Sequence, residues 1–440
     1  MKNRHQLDRR QFLKNSAAGI VGVGALGTGV HRKSSEQNDQ TDGLKIKEYR
    51  TLGRCGFKVS DIAAGEHHAN ITILNMLLDA GVNYIDTGEN YGNGQDERII
   101  GEAIKNRDRK SLFISTKLAL KQDRTKSSIV ARTQKCLERL KTDYIDCMMI
   151  HSAQNSATVL TPGFHEAMGQ LKAEGRVRYV GLSNHGTNWL NNPEESMEKV
   201  MMTAVEDGRF DMVLLAYNFI ARDQGERILQ ACAEKKIGTT LMKTNPVGLY
   251  LYFKHEAEEL ERLGKEVPAD VAKAVTRMEK LAGQADEFIK THQLKTPEDI
   301  RGAAIRFVLG NQNVNAACIT FDTLNDVESY IKLSGTRMTS QDQQLLSGYT
   351  RSCGSLYCRH ACGICESECP QHVPVNSIMR YNHYFVAQRR EKHAMIKYAN
   401  LPGSKADQCL TCVGPCERAC PYGVPIQGLL ALAHNRLALA

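Results

Sequence analysis

The stretch VNYIDTG (residues 82–88), continued by ENYGNGQDERIIGEAIK to residue 105, decides how the chain is built. A short β-rich run ends in a polar tip and gives way to a helical pattern. Working outward, the same alternation recurs. Further candidate strands are KVSDIAAG (58–65), SLFISTK (111–117), YIDCMMIHS (144–152), VRYVGLSN (177–184), DMVLLAYN (211–218), GTTLMKT (238–244) and NAACITF (315–321). Amphipathic segments such as SSIVARTQKCLERL (127–140) and GERILQACAEKK (225–236) lie between them. Eight strand–helix alternations predict an α/β fold, a (β/α)8 TIM barrel over residues 45–345. In such a barrel the polar residues at the C-terminal ends of strands face the active site. Here those ends carry Asp86, Lys117, His151, Ser183, Asn184, Asn218 and Lys243.

The remaining composition narrows the class. The 440 residues are 42% hydrophobic and 24% charged, as in soluble globular proteins, and are enough for one large domain and a smaller one. No apolar run reaches the ~18–20 uncharged residues of a stable transmembrane helix. The formal charge is +8, but residues 1–40 hold seven Lys/Arg against three Asp/Glu. Half of the excess therefore sits in the first forty residues, and the rest gives no reason to expect nucleic-acid binding.

Of fourteen cysteines, nine fall between Cys353 and Cys420. CRHACGICESECP supplies Cys358, Cys362, Cys365 and Cys369; CLTCVGPCERACP supplies Cys409, Cys412, Cys416 and Cys420. The two motifs repeat at an offset of 51 residues, and the repeat runs on from CPQHVPVNSIM (369–379) to CPYGVPIQGLL (420–430). Each motif is the C-x2-C-x2-C-x3-C-P pattern of bacterial iron–sulfur proteins with one residue added. In that pattern the last cysteine serves the other cluster. Crossed ligation predicts one [4Fe-4S] cluster on Cys358, Cys362, Cys365 and Cys420, and a second on Cys409, Cys412, Cys416 and Cys369. Zinc can use the same thiolates but leaves the paired Cys-Pro endings unexplained. Disulfides suit an exported chain, yet nine cysteines are an odd number and their spacing is dense for a simple framework. Cys353 and His360 are expected to have no ligand role.

Three resemblances then become specific. EYRTLGRCGFKVSDIAAG, AGVNYIDTGENYGNGQDERIIGEAIK, FISTK, LKTDYIDCMMIH and GRVRYVGLSNHG, in this order and spacing, resemble an aldo-keto reductase over the whole barrel. The resemblance implies a catalytic tetrad of Asp86, Tyr91, Lys117 and His151. It also implies cofactor binding by Ser183 and Asn184, on the nicotinamide amide, and by Lys243. It further implies a small carbonyl or alcohol substrate. The cysteine repeat resembles the ferredoxin-like extension of some members, so residues 346–440 are expected to form a small, mainly α dicluster domain. DRRQFLK, with the apolar segment from Ser16 to Val30 behind it, resembles a twin-arginine signal on residues 1–42, although Asp8 replaces the usual Ser or Thr. That route carries folded, cofactor-loaded proteins, which implies a periplasmic or extracytoplasmic location. Any membrane attachment would run only through an uncleaved signal.

The chemistry is coherent from the residues alone. A carbonyl receiving hydride gathers negative charge on oxygen, and a phenol can supply the proton. A free tyrosine titrates near ~10, so it needs a cation beside it; Lys117, held by Asp86, is placed to be that cation. His151 would orient the carbonyl oxygen. His67 and His68 follow the first strand and could reach a substrate, whereas His185 reads as structural. The 251–295 segment inserts helices after the seventh strand, as a lid or as outer packing.

The nucleotide half departs from the resemblance. Leu214 replaces the usual glutamine, Met242 the usual stacking aromatic, and ITFDTLNDVESY (319–330) has no basic residue for a 2′-phosphate. This favours NAD(H) over NADP(H). Hydride transfer moves two electrons whereas a cluster passes one, and no flavin-type glycine motif bridges them. Clusters serving a redox partner, or purely structural clusters, are both compatible. So are two other readings: an electron-transfer protein with the barrel as scaffold, and a sugar-binding barrel without turnover.

Overall fold

The computed structural model describes residues 44–65, 70–121, 123–185, 195–246, 283–294, 298–359, 362–386, 390–409 and 412–438. The leader, His67 and His68, His360 and most of the 251–295 insertion lie outside the described residues. Ten strands are described: β1 Tyr49–Thr51, β2 Lys58–Ser60, β3 Ile62–Ala64, β4 Tyr84–Asp86, β5 Phe113–Leu118, β6 Ile145–Ile150, β7 Val177–Asn184, β8 Met212–Ala216, β9 Gly238–Met242 and β10 Ala316–Ile319. Strands β3 to β10 close into a barrel in chain order, with β10 returning to β3 and every pairing parallel.

Burial on both faces explains the strand sequences. β6 is buried at all six positions and β8 at all five, so each reads as a nearly continuous apolar run; β9 is also buried throughout but carries Thr239 and Thr240. The barrel interior is filled by Leu52, Val59, Ala63, Tyr84, Phe113, Cys147, Met149, Met212, Leu214 and Met242. A larger apolar shell joins the strands to the surrounding helices.

KVSDIAAG is not one strand. Its first half is β2, antiparallel to β1 with Tyr49 opposite Ser60, and only Ile62–Ala64 joins the barrel. Asp61 makes the break. Its carboxylate accepts from the Ser334 hydroxyl at 2.6 Å and the Gly335 N–H at 2.8 Å, and its own N–H donates to the Glu48 carbonyl at 3.1 Å. The β1–β2 hairpin carries Leu52, fully buried, into the barrel interior.

The chain after the barrel is helical, with helices at Ser340–Cys353, Val375–Val386, Glu391–Ala399, Pro415–Ala419 and Ile426–Leu437. The 51-residue repeat is visible in its hydrogen bonds. Glu366 accepts from the Asn376 N–H at 2.6 Å, and Glu417 accepts from the Gln427 N–H at 2.7 Å. Each carboxylate thus satisfies a free N–H in the first turn of the helix that follows its motif. Val373, Val375 and Ile378 share one apolar cluster with their equivalents Val424, Ile426 and Leu429.

This helical part packs against the C-terminal ends of the barrel strands. Phe219 and Ile220, after β8, share a core with Leu346, Tyr349, Leu356, Tyr357 and Val386. Among the described residues no helix is long and apolar enough to cross a membrane.

Candidate active site and cysteine cavity

The eight strands bring the predicted tetrad together. Asp86 ends β4, Lys117 lies near the end of β5, His151 directly follows β6, and Tyr91 opens the turn after β4. The turn is unusual: Gly92, Asn93 and Gly94 all have left-handed backbones, with φ of 55°, 55° and 80°. The YGNG sequence supplies residues that tolerate them. A side chain at Gly94 would come within 2.7 Å of the Arg139 side chain, which would have to shift.

Lys117 is fully buried and donates to Asp86 Oδ2 at 2.5 Å, to the Thr87 carbonyl at 2.5 Å and to the Tyr91 hydroxyl at 3.4 Å. The other oxygen of Asp86 accepts from the Ser115 hydroxyl at 2.6 Å. Burial opposes the lysine charge, but the Asp86 carboxylate and the Tyr91 phenol outweigh it and hold Lys117 above the ordinary lysine value. His151 stands edge-on to Tyr91, ring centres 5.5 Å apart. Burial, reinforced by Lys117, Lys397 and Lys121, pushes its imidazole down to about 3. It is therefore neutral at physiological pH and carries one N–H. Tyr91 and His151 both keep part of their surface accessible. The arrangement presents a phenol O–H and an imidazole N–H at one opening, with a fixed ammonium behind the phenol.

Ser183 and Asn184, at the end of β7, are fully buried. The Ser183 hydroxyl accepts from the Ser152 N–H at 2.9 Å, and the Asn184 amide donates to the Ala153 carbonyl at 2.8 Å. Both side chains thus brace the loop that carries His151. Leu214 and Met242 lie in the apolar barrel interior. Lys243 follows β9 with a left-handed backbone, φ 57°, its carbonyl held by Asn218 Nδ2 at 2.9 Å. After β10, Arg301 from the preceding helix pairs with Asp326 at 3.0 Å.

Sequence reading missed the contribution of the C-terminal helices. Arg380, on Val375–Val386, donates to the His185 carbonyl at 3.3 Å, and Tyr384 of the same helix lies 4.4 Å beneath Lys243 Nζ. Tyr357 meets Asn218 at 3.4 Å. His185 is part of the mouth, its ring 6.4 Å from that of His151. Among the described residues its Nδ1 is buried without a hydrogen-bond partner, as is Nε of Arg380.

The eight motif cysteines sort into two groups. Cys358, Cys362, Cys365 and Cys420 line one open cavity with Arg359, Asn376 and Tyr422. On the other side, burial first and then Cys416, Cys369 and Cys412 raise the Cys409 thiol to about 12. All fourteen cysteines are unbridged. Among the described residues no three His, Cys, Asp or Glu side chains converge tightly enough to hold a single metal ion. Cys353 is buried in the core shared with the barrel, away from these groups.

Comparison with known proteins agrees with this geometry. The aldo/keto reductase family model matches residues 51–348. The aldo-keto reductase YhdN of Bacillus subtilis is 25% identical over 326 residues, covering 68% of this chain and 92% of that protein. The uncharacterized oxidoreductase YqkF of the same organism is 33% identical over 150 residues, which span 31% of this chain and about half (48%) of that protein. In fold, the chain is similar to the holo form of aldo-keto reductase AKR11C1 from Bacillus halodurans, with a TM-score of 0.50, 19% identity and coverage of 68% of this chain and 95% of the other. The tetrad-bearing barrel is that of an oxidoreductase, and the chain belongs to the aldo/keto reductase family.

Proposed function

We propose that this chain interconverts a small carbonyl compound and the corresponding alcohol by hydride exchange with NAD(H), and that it does so as an exported, iron–sulfur-containing enzyme. The observation that carries the reading is the buried Asp86–Lys117 pair placed behind the Tyr91 hydroxyl, with neutral His151 beside it.

In the reducing direction Tyr91 gives its proton to the carbonyl oxygen. The Lys117 ammonium stabilises the tyrosinate left behind, and Asp86 keeps that lysine charged in a site where burial alone would neutralise it. His151 donates its N–H to the same oxygen as charge gathers there. In the oxidising direction the tyrosinate takes the alcohol proton. The nicotinamide, when bound, supplies or accepts the hydride. The orphaned His185 Nδ1 beside Ser183–Asn184 fits a polar ring substituent at that place. NAD(H) is favoured over NADP(H) because the cation near the end of β10, Arg301, is already paired with Asp326.

Cysteines set around a cavity, not around a point, favour a polynuclear cluster over zinc. The lining of the cavity, three cysteines from the first motif and Cys420 from the second, supports crossed ligation of two [4Fe-4S] clusters. Such clusters would exchange single electrons with a redox partner. Cofactor loading before export accounts for the twin-arginine-like leader and for a periplasmic location. A sugar or polyol is one substrate class compatible with these features.

The test is Tyr91→Phe in protein purified anaerobically with its iron retained. Loss of hydride exchange by a factor of about a hundred or more, at unchanged iron content, supports the reading. Unchanged turnover overturns it.

A further inference from the structure

We propose that the substrate is an anion: the carbonyl compound carries a carboxylate or phosphate that seats between Lys243 of the barrel and Arg380 of the helical C-terminal part. This rests on the carbonyl–alcohol reading above and adds the chemical class of the substrate. It also gives the C-terminal part a direct share in the site.

The geometry runs without a break from the tetrad to Arg380. Tyr91 and His151 are 5.5 Å apart, His151 and His185 6.4 Å, and the Arg380 guanidinium touches the His185 carbonyl at 3.3 Å. Lys243 is fixed over Tyr384, one helical turn from Arg380 on the same helix. Both cations remain partly accessible. Both are held in ways that a purely structural role does not require. Lys243 adopts a left-handed backbone that non-glycine residues rarely take, pinned by Asn218. Arg380 keeps Nε buried with no hydrogen-bond partner, and no salt bridge joins it to an acid among the described residues. Glu366 acts on Arg380 electrostatically, but a carboxylate oxygen of Glu366 is engaged by the Asn376 N–H.

Among the described residues, the charges that act on three buried imidazoles are cationic, although Asp86 and Glu366 lie nearby. His151 feels Lys117, Lys397 and Lys121; His383 feels Lys243; the two largest charges on His185 are Lys243 and Arg380. Lys397 in turn feels Arg380, Lys121 and Arg390, with Tyr384 opposing. Each of the three imidazoles is held neutral, burial being the largest cause and these cations adding to it. Like charges gathered at a half-buried opening repel one another and attract an anion in compensation. A guanidinium and an ammonium near the same helix face, at Arg380 and over Tyr384, suit a carboxylate or phosphate, because charge-assisted hydrogen bonds to such groups are the strong ones.

The test separates binding from turnover. Full-length, iron-loaded Tyr91→Phe protein is titrated by calorimetry with pyruvate, glyceraldehyde 3-phosphate and uncharged glyceraldehyde, each in the presence of NADH. The proposal expects an anionic probe to bind at least tenfold more tightly than the neutral one, with an affinity that falls as salt rises. Adding Arg380→Gln should shrink that anion preference about tenfold, and Lys243→Gln should do the same. Which anion binds more tightly tells carboxylate from phosphate. Equal binding of charged and neutral probes overturns the proposal. So does a matching loss of NADH affinity in the Arg380→Gln or Lys243→Gln protein, which would give the cations to the nucleotide diphosphate. Unchanged iron content and thermal unfolding show that the variants are folded. Absence of hydride exchange in the unmodified protein would count against the proposed function, yet it leaves these binding constants to decide the anion site.

Discussion

Asp86→Asn preserves the shape of the site and removes only a charge, which makes its consequences calculable. In the native chain Lys117 is fully buried against Asp86 at 2.5 Å. Removing one member of a buried pair leaves the other uncompensated and costs about 3–5 kcal/mol. For a domain of this size that corresponds to roughly 5–10 °C in unfolding temperature. The pH dependence carries the sharper signature. Native Lys117 is held above its unfolded value, so its stabilisation is fully present below pH ~10.4 and is lost only as pH rises through the still higher folded value. In Asp86→Asn the burial term dominates, and the lysine titrates below its unfolded value. The unfolded state then binds more protons, and stability rises with pH up to ~10.4. Thermal unfolding of both proteins at fixed scan rate, between pH 7 and 10, gives the difference curve. The deficit of the variant should be largest at pH 7 and narrow toward pH 10. A deficit below 1 °C, or one that is constant with pH, would refute the claim that Asp86 is what keeps Lys117 charged.

Further outcomes follow from other residues. His151, pushed down to about 3, should show no imidazole titration by NMR between pH 5 and 8. Its contribution to stability should be present above pH ~6.5 and be lost as pH falls toward 3; an inflection near 6.5 would contradict the neutral donor. If the proposed clusters are present, Cys420→Ala should lower iron per chain and alter the electron paramagnetic resonance of the proposed first-motif cluster, while Cys353→Ala should leave both unchanged; the reverse pattern would refute crossed ligation. Gly94→Ala forces a side chain against Arg139, whose Nε is 2.5 Å from Glu97, at φ 80°, and should destabilise by about 1–2 kcal/mol or more, read as a lower unfolding temperature.

The barrel was legible because short β-rich runs, several of them apolar along most of their length, alternate with helical patterns, and because polar tips mark where strands leave the interior. Asp86, Lys117 and His151 were legible as such tips, whereas grouping them with Tyr91 as a catalytic set rested on the family resemblance. KVSDIAAG was misread as one strand because no Gly or Pro interrupts it before Gly65, while the break is made by hydrogen bonds to Ser334 and Gly335, some 270 residues away. Nothing local announces a partner that distant. His185 read as structural for a similar cause: it enters the mouth through Arg380, 195 positions later. The paired Glu366–Asn376 and Glu417–Gln427 bonds show that the repeat of the cysteine motifs extends to the helix starts. That the helix after the first motif would lie on the barrel mouth is a packing outcome between separate parts of the chain, with no signature in either.

The central claim is that this barrel exchanges hydride through a nicotinamide cofactor, and the most direct measurement is mass spectrometry of any nucleotide released on denaturing the anaerobically purified, iron-loaded protein. NAD(H) released in proportion to protein, or captured when NAD(H) is added first, is the result expected. No nucleotide released, with none retained after addition of either NAD(H) or NADP(H), would leave the Tyr91 proton without a hydride to accompany it and would contradict the account.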